Sequence, residues 1–272
     1  MTTTANATRA TLVDYKKEGG IAVLTLNDPP ANTYTYEMMR DIDEAILKAR
    51  FDESVHVILI RGAGEKFFCA GANIKMLQTV NPYFKYFFCL HANETLNRLE
   101  QTPKLVIAAL NGHCVGGGLE IAMAADIRIA KKNAGKIGLP EVSLGVLPGT
   151  GGTQRLARLL GKSRAIEMMV EGAKMNVARA HELGLVNKVC STESTEELVR
   201  KVVDYAHAFC PPNGAAMAAG RIKRAVQSGM EMSLEQGLAF ERELQAELFA
   251  SADAKEGLNA YVAKRKPQFR GR

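Results

Sequence analysis

The sequence predicts an α/β fold whose C-terminal part is helical. Three observations support this class. Short β-branched apolar runs alternate with helical segments in the first part of the chain, two segments share a strand–strand–helix plan, and the spacing becomes helical after about residue 160. We therefore predict a core over residues 1–200 and a helical region over residues 201–272. No low-complexity linker divides them, so we expect the helices to pack on the core or on a neighbouring subunit.

A proline turn separates the first clear strand from the first helix. Residues 21–26 are apolar and β-branched, which is typical of a strand. Pro29 and Pro30 end this strand, because proline cannot donate to a strand ladder. Residues 36–50 then carry apolar side chains at helical spacing.

Two stretches follow the same order of strand, extended segment and helix. The members are strands 55–61 and 105–110, extended segments 68–72 and 114–115, and helices that begin at residues 74 and 119. A third strand is predicted at residues 127–130. Strands that alternate with helices indicate a parallel α/β arrangement.

Helical spacing continues through the second half of the chain. Ser233 and Gln236 form a capping box that predicts the start of one helix there. The other predicted helices cover residues 163–171, 177–183, 195–209 and 253–266.

Composition and charge indicate an ordinary globular protein. Of 272 residues, 47% are hydrophobic and 24% are charged, which excludes a disordered or coiled-coil chain. The net charge of +6 permits an anionic partner. The apolar runs are too short for a membrane helix, and the polar N-terminus lacks the apolar part of a secretory signal. Five cysteines without CxxC spacing argue against a disulfide framework, so we expect a cytoplasmic protein.

Sequence motifs give no sign of a metal or a redox cofactor. The histidines form no HExxH pattern, and neither GxxxxGK[ST] nor GxGxxG occurs. The glycine-rich GTGGTQ at residues 149–154 lacks the Lys-Ser/Thr ending of a phosphate loop, so we interpret it as a structural turn. We therefore expect no metal site and no separate cofactor.

Small residues directly precede a helix in both strand–strand–helix units. Ala72 and Gly117 hold these places, where first-turn N–H groups stay free at the positive end of the helix dipole. Two N–H groups directed at one point would form an oxyanion hole. Close packing of the backbone is the alternative explanation of such glycine loops.

Two lone glutamates stand out among apolar residues. Glu120 lies in the first turn of the second unit's helix, and Glu141 follows Pro140. Burial raises the pKa of a carboxyl group and makes it a candidate for acid–base chemistry. A structural carboxylate at a helix terminus is about as good an interpretation from chemistry alone.

These features occur within longer motifs that resemble the crotonase family of enoyl-CoA hydratases and isomerases. The similarity extends from about residue 12 to residue 270. The motifs are LNDPPANT (26–33), FFCAGANIK (67–75), NGHCVGGGLEIAMAADIRIA (111–130), GLPEVSLGVLPGTGGTQRL (138–156), AHELGLVNKV (180–189) and KEGLNAYVAKRKPQF (255–269).

The resemblance implies a fold, an assembly and a ligand. The fold would be a spiral of repeated ββα units, with a helical C-terminal region used in trimerisation. The assembly would be a homotrimer or a hexamer built as a dimer of trimers. The ligand would be an acyl-CoA thioester, whose coenzyme A belongs to the substrate, so that no further cofactor is expected.

The resemblance also implies roles for individual residues. The N–H groups of Ala72 and Gly117 would hold the thioester oxygen as it becomes an enolate. Glu120 and Glu141 would hold the attacking water, and Glu141 would exchange the proton at Cα. The carbonyl of Ala70 would meet the adenine. The remaining residues expected at the acyl-CoA site are Asn73, Ile74, Lys75 and Gly116.

This chain departs from the usual family pattern at one motif position beside the predicted oxyanion hole. Asn73 stands where most members have Asp, which removes a charge but keeps the Ala72 backbone, so we expect tuning of activity. Nearby, Tyr34 and Tyr36 would line the acyl pocket or pack on the following helix. The aromatic cluster at residues 83–88 has the same two interpretations, acyl specificity or core packing.

Retention of both glutamates favours an enoyl-CoA hydratase, a lyase that reversibly adds water syn across the 2,3 double bond. An isomerase, or a dehydratase of a specialised acyl-CoA, is the alternative within the family. RNA binding, known from one branch of the family, would need a basic first helix. Residues 36–50 contain three basic and four acidic side chains, so we do not expect a nucleic acid partner.

Overall fold

The computed structural model describes residues 10–272 of the chain. The first nine residues, part of the stretch for which the sequence predicts no secretory signal, lie outside the described residues. Ten strands within residues 10–272 form two mixed sheets. The six-stranded sheet contains, in spatial order, β1 (Val13–Glu18), β2 (Ile21–Leu26), β3 (Val57–Gly62), β5 (Leu105–Leu110), β7 (Ile127–Lys131) and β10 (Lys188–Cys190). The four-stranded sheet contains β4 (Phe67–Cys69), β6 (His113–Val115), β8 (Lys136–Gly138) and β9 (Lys174–Asn176).

The chain passes from the large sheet to the small sheet three times in succession. Each of β3, β5 and β7 is followed by a strand of the small sheet and then by a helical segment. These segments are α2 (Ile74–Thr79), α4 (Gly117–Met123) and a 3₁₀ turn (Glu141–Leu144). This confirms the predicted spiral of ββα units and adds a third unit. Because successive units pair in parallel, the loops that follow β4 and β6 lie side by side.

The large sheet is buried on both faces, which explains why its strands are continuously apolar. One face packs with α1 (Tyr36–Phe51) and α3 (Pro82–Gln101) in the main core. The other face, which includes Ile21, Val57 and Ile107, packs against α8 (Thr195–His207). The sequence boundary at residue 200 falls inside α8, and the division into two domains stays a prediction.

The second half of the chain is helical, as the sequence predicts. The remaining helices are α5 (Gly152–Leu160), α6 (Lys162–Val170), α7 (Val177–Glu182), α9 (Ala216–Gly229), α10 (Leu234–Phe249) and α11 (Ala252–Val262). The capping box of Ser233 and Gln236 opens α10, as predicted. The last helix is shorter than predicted because Lys264 has a φ of 51°, which is left-handed and ends the helix.

Candidate active site

The two glycine loops singled out in the sequence meet at the small sheet. β4 and β6 pair in parallel, so the segments that follow them approach each other. A Cβ built on Gly71 would lie 3.1 Å from the backbone nitrogen of Gly117. The backbones of the two loops therefore approach closely, and the φ of 93° at Gly71 together with this tight contact favours glycine there.

The backbone of Tyr34 fixes the amide of Ala72. The N–H of Tyr34 donates to the Gly71 carbonyl (3.0 Å), and the N–H of Asn73 donates to the Tyr34 carbonyl (3.0 Å). This is a parallel bridge between Tyr34 and Ala72. In such a bridge the middle residue directs its own N–H away from the partner strand. The Ala72 N–H is thus held on the side away from the Tyr34 backbone.

The amide of Gly117 opens α4. Gly116, the N-cap, has a φ of 57° and donates its N–H to the Gly138 carbonyl (2.9 Å). First-turn N–H groups have no acceptor in their own helix, so the Gly117 N–H stays available. A Cβ at Gly117 would overlap the ring of Tyr34 and lie 2.6 Å from its Oη. Two such amides on touching loops can together stabilise one developing negative charge.

Glu120 is buried one turn further along α4, where only 2% of the residue is exposed. Its Oε1 accepts hydrogen bonds from the N–H groups of Thr150 and Gly152, both at 2.7 Å. Burial raises the pKa of Glu120 to about 7, and the charge of Glu141 adds to the rise, whereas the two N–H donors oppose it. Both donors bind Oε1, so Oε2 is the oxygen left for a ligand or water.

Glu141 begins the 3₁₀ turn and is half-buried. Its Oε1 lies 2.9 Å from the position of a Cβ on Gly116, so the carboxyl borders the second glycine loop. Its Oε2 is shielded from solvent and has no hydrogen-bond partner among residues 10–272. Burial raises the pKa of Glu141, and Lys85 opposes the rise. A buried oxygen without a partner marks a place where a ligand or water is expected.

The other predicted site residues lie along the first loop. The N–H of Ala70 donates to the Ala31 carbonyl (3.0 Å), while Ile74 and Lys75 lie in the exposed first turn of α2. The side chain of Asn73 caps α2, since its Oδ1 accepts from the Met76 N–H (3.1 Å). The predicted site residues therefore occupy one continuous region of the protein, formed by the two loops and the two glutamates.

Burial distinguishes the residues whose interpretation the sequence leaves open. Tyr34 is buried, and Tyr36 packs against Phe84 and His91. Of the aromatic cluster, which lies on α3, only Phe88 is buried, whereas the others are exposed at Tyr83, Phe84, Tyr86 and Phe87.

The sequence interpretation missed how Glu120 is held. The GTGGTQ segment was predicted to be a structural turn, and it is one, but its amides also bind the Glu120 carboxylate. Gly151, with a φ of 104°, lets the chain turn so that the amides on either side of it point at one oxygen. The signal in the sequence that could have indicated this contact is the glycine-rich turn itself, whose backbone N–H groups are free to bind a carboxylate.

Comparisons with known proteins show the family of this chain. The family model described as enoyl-CoA hydratase/isomerase matches residues 16–272. The chain belongs to this family. A short-chain-enoyl-CoA hydratase from Clostridium acetobutylicum is 38% identical over 259 residues, which cover 93% of this chain and 95% of that protein. A crotonyl-CoA hydratase from Syntrophomonas wolfei is 35% identical and covers 93% of this chain and 96% of that protein.

Solved structures of the enoyl-CoA hydratase/isomerase family share the fold. A crystal structure of an enoyl-CoA hydratase from Geobacillus kaustophilus superposes with a TM-score of 0.93 at 44% identity, and covers 97% of this chain and 98% of that one. An enoyl-CoA hydratase from Bacillus anthracis gives a TM-score of 0.90 at 31% identity, with 96% of this chain and all of that one (100%) covered.

Residues 10–272 contain neither a membrane-spanning helix nor a cluster of metal-ligating side chains. No helix in this part of the chain is long and apolar enough to cross a membrane. No three His, Cys, Asp or Glu side chains of these residues are grouped so that they could hold a metal ion.

Proposed function

We propose that the protein is an enoyl-CoA hydratase, a lyase that reversibly adds water syn across the 2,3 double bond of a short enoyl-CoA thioester. The observation that carries the proposal is the placement of a buried carboxyl group, Glu120, and a half-buried one, Glu141, beside two touching loops with free amides. Names of relatives support a short acyl chain, since they include short-chain-enoyl-CoA and crotonyl-CoA hydratases.

The amides of Ala72 and Gly117 stabilise the charge that forms during addition. A thioester makes the β-carbon of an enoyl group electrophilic, and attack there moves negative charge onto the thioester oxygen. N–H donors already directed at that position stabilise it without reorganisation, by about 3 kcal/mol each. Neither Gly116 nor Gly117 could carry a side chain here, because a Cβ would meet Glu141 in the first case and the ring of Tyr34 in the second.

The two glutamates handle the water. Oε1 of Glu120 is held by two amides, so Oε2 accepts a hydrogen bond from the water and orients it. The oxygen of this water bonds to the β-carbon and keeps one hydrogen. The other proton reaches Cα through the carboxyl group of Glu141, whose unpartnered Oε2 lies beside the second loop.

The coenzyme A part of the substrate binds along the first loop. The Ala70 carbonyl meets the adenine, and Asn73, Ile74 and Lys75 contact the remainder, while Gly116 borders the thioester. The exposed ammonium of Lys75 suits the phosphates of coenzyme A. No other cofactor takes part in the proposal, so dialysis against a chelator should leave the rate unchanged.

Hydration of crotonyl-CoA tests the proposal directly. The conjugated enone absorbance should fall when purified protein is added without cofactor. A panel of short, long, branched, cyclic and 3-methylglutaconyl thioesters would define the acyl group. If no conjugated thioester is hydrated and a 3-enoyl-CoA is converted to the 2-enoyl isomer, the isomerase alternative replaces the hydratase. Tight, salt-sensitive retention of RNA on a filter would instead favour the nucleic acid alternative.

The proposal includes assembly as a homotrimer or as a hexamer. Apolar side chains are exposed on the C-terminal helices, and a contiguous exposed apolar surface is typical of an interface. They include Ile222, Val226, Met230, Leu234, Phe249, Leu258, Tyr261 and Val262. Sedimentation velocity would distinguish monomer, trimer and hexamer. A cytoplasmic location stays a prediction of the sequence.

A further inference from the structure

Tyr34 contacts both glycine loops and Thr150, one of the two residues whose amides hold Glu120. Its backbone forms the bridge that orients Ala72, and its ring fills the space beside Gly117. Its hydroxyl lies 2.8 Å from Oγ1 of Thr150, and the N–H of Thr150 binds Oε1 of Glu120. Tyr34 is 2% exposed, so these contacts are made in the interior.

We propose that Tyr34 is a positioning residue for the hydratase reaction. Its hydroxyl, through Thr150, fixes one of the two amides that hold Glu120, and its ring supports the Gly117 side of the oxyanion hole. This inference rests on the proposed function. It assigns Tyr34 neither to the acyl pocket nor to packing alone, which were the two interpretations of the sequence.

The Tyr34 hydroxyl acts as a neutral group. Burial raises the pKa of Tyr34 well above its ordinary value, and the nearby charge of Glu120 raises it further. A neutral hydroxyl does not change the charge of the site, so its effect passes through the position of Thr150. The hydrogen bond from the Thr150 N–H lowers the pKa of Glu120. Loss of the Tyr34 hydroxyl should weaken this hydrogen bond and therefore raise the pKa of Glu120.

Four variants test this connection. Tyr34→Phe keeps the ring and removes the hydroxyl, and Thr150→Val removes the other hydroxyl in a similar volume. Each should lower kcat about tenfold, as expected for one lost buried hydrogen bond, with little change in KM. The double variant should lose no more than either single variant, because both remove the same interaction. Thr150→Ser keeps the hydroxyl and should retain the wild-type kcat.

The matched control is Tyr205→Phe, which removes the hydroxyl of a half-buried tyrosine on α8 and should leave kcat unchanged. Additive losses in the double variant would overturn the proposal, as would an unchanged kcat in Tyr34→Phe.

A second readout does not depend on hydratase activity. Infrared titration should show the carboxyl band of Glu120, assigned by its absence in Glu120→Gln, titrating at a higher pH in Tyr34→Phe than in the wild type. An unmoved titration contradicts the positioning role. If the wild-type protein hydrates no enoyl-CoA but the band shifts, the proposed function fails and the link from Tyr34 to Glu120 stands.

Discussion

The two carboxyl groups of the site are held in opposite ways. Glu120 lies in a helix, is almost completely buried, and has one oxygen fixed by the amides of Thr150 and Gly152. Glu141 lies in a short turn, is half-buried, and has a shielded oxygen with no partner within residues 10–272. Burial raises both pKa values, and neighbouring groups oppose the rise in both.

This difference indicates that the two carboxyl groups have different roles in the reaction. A carboxylate fixed by two N–H donors cannot turn, and so it is suited to orient a water molecule. A carboxyl group with an unsatisfied oxygen can change its hydrogen bonds during the reaction, and so it is suited to transfer a proton. The hydrogen bonds that hold Glu120 do not involve Glu141, so each carboxyl group can be replaced separately.

Replacement of each carboxyl by an amide should have the largest effect. We expect Glu141→Gln to lower kcat about 10⁴-fold, because the proton path to Cα is lost, and Glu120→Gln to lower it about 10²-fold, because an amide still binds water. Steady-state hydration of crotonyl-CoA measures both. Glu53→Gln, which changes an exposed glutamate beyond α1, is the matched control and should be unaffected. Near-normal turnover in both site variants would contradict the mechanism.

The pH dependence of stability should reveal the buried state of Glu120. Its pKa is raised from 4.5 to about 7 in the folded protein. A raised carboxyl pKa gives stability that is fully present below pH 4.5 and is lost as the pH rises through about 7. Glu120→Gln stays neutral, so its free energy of unfolding relative to the wild type should grow by about 3 kcal/mol between pH 4.5 and 8.

Urea unfolding at fixed protein concentration at several pH values measures this difference. Glu141→Gln is the comparison: the pKa of Glu141 is raised too, so the relative stability should change in the same direction. We expect a smaller change, since Glu141 is less buried and Lys85 favours its charged form. If the free energy of unfolding changes equally with pH in the two variants, the environments of the two carboxyl groups do not differ in the way described.

An added methyl group should disturb the Glu120 side of the site more than a remote position. In Gly117→Ala the new Cβ meets the buried, rigid ring of Tyr34, so we expect a loss of about 2 kcal/mol in stability together with a lower kcat. Gly229→Ala, where a Cβ meets nothing within 4 Å, is the control. An unchanged melting temperature and kcat in Gly117→Ala would show that the ring moves freely.

Much of the fold follows from the local sequence because its signals are local. The apolar β-branched runs and the capping box place strands and helices without reference to distant residues. The long helix α3 was missed, although Asn81 and Pro82 at its start are ordinary helix signals, because its exposed aromatic side chains hide the helical period. The strands of the small sheet have three residues each, too few for periodicity to be detected.

The sequence predicts which residues form the site, but it does not predict the hydrogen bonds that hold them in position. Motif resemblance places Ala72, Gly117, Glu120 and Glu141 together, and the structure brings these residues into one region. The hydrogen bond between Tyr34 and Thr150 joins positions 116 residues apart in sequence. No periodicity or spacing relates such distant residues, so this contact becomes evident only in the folded structure.

The smallest effect is expected at Asn73, which borders the first loop and contacts neither carboxyl group in the structure. Asn73→Asp should keep the cap of α2, because both residues are good N-caps, and stability should change by less than about 0.5 kcal/mol. The added charge near the Ala72 amide should change kcat/KM by no more than about threefold, because electrostatic interactions of solvent-exposed charges are weak. Asn176→Asp, which alters the same kind of cap on α7, is the matched control. If kcat/KM changes far more in Asn73→Asp than in the control, the side chain at position 73 contacts the reacting thioester. The first loop would then contribute to the chemistry through this side chain as well as through its backbone.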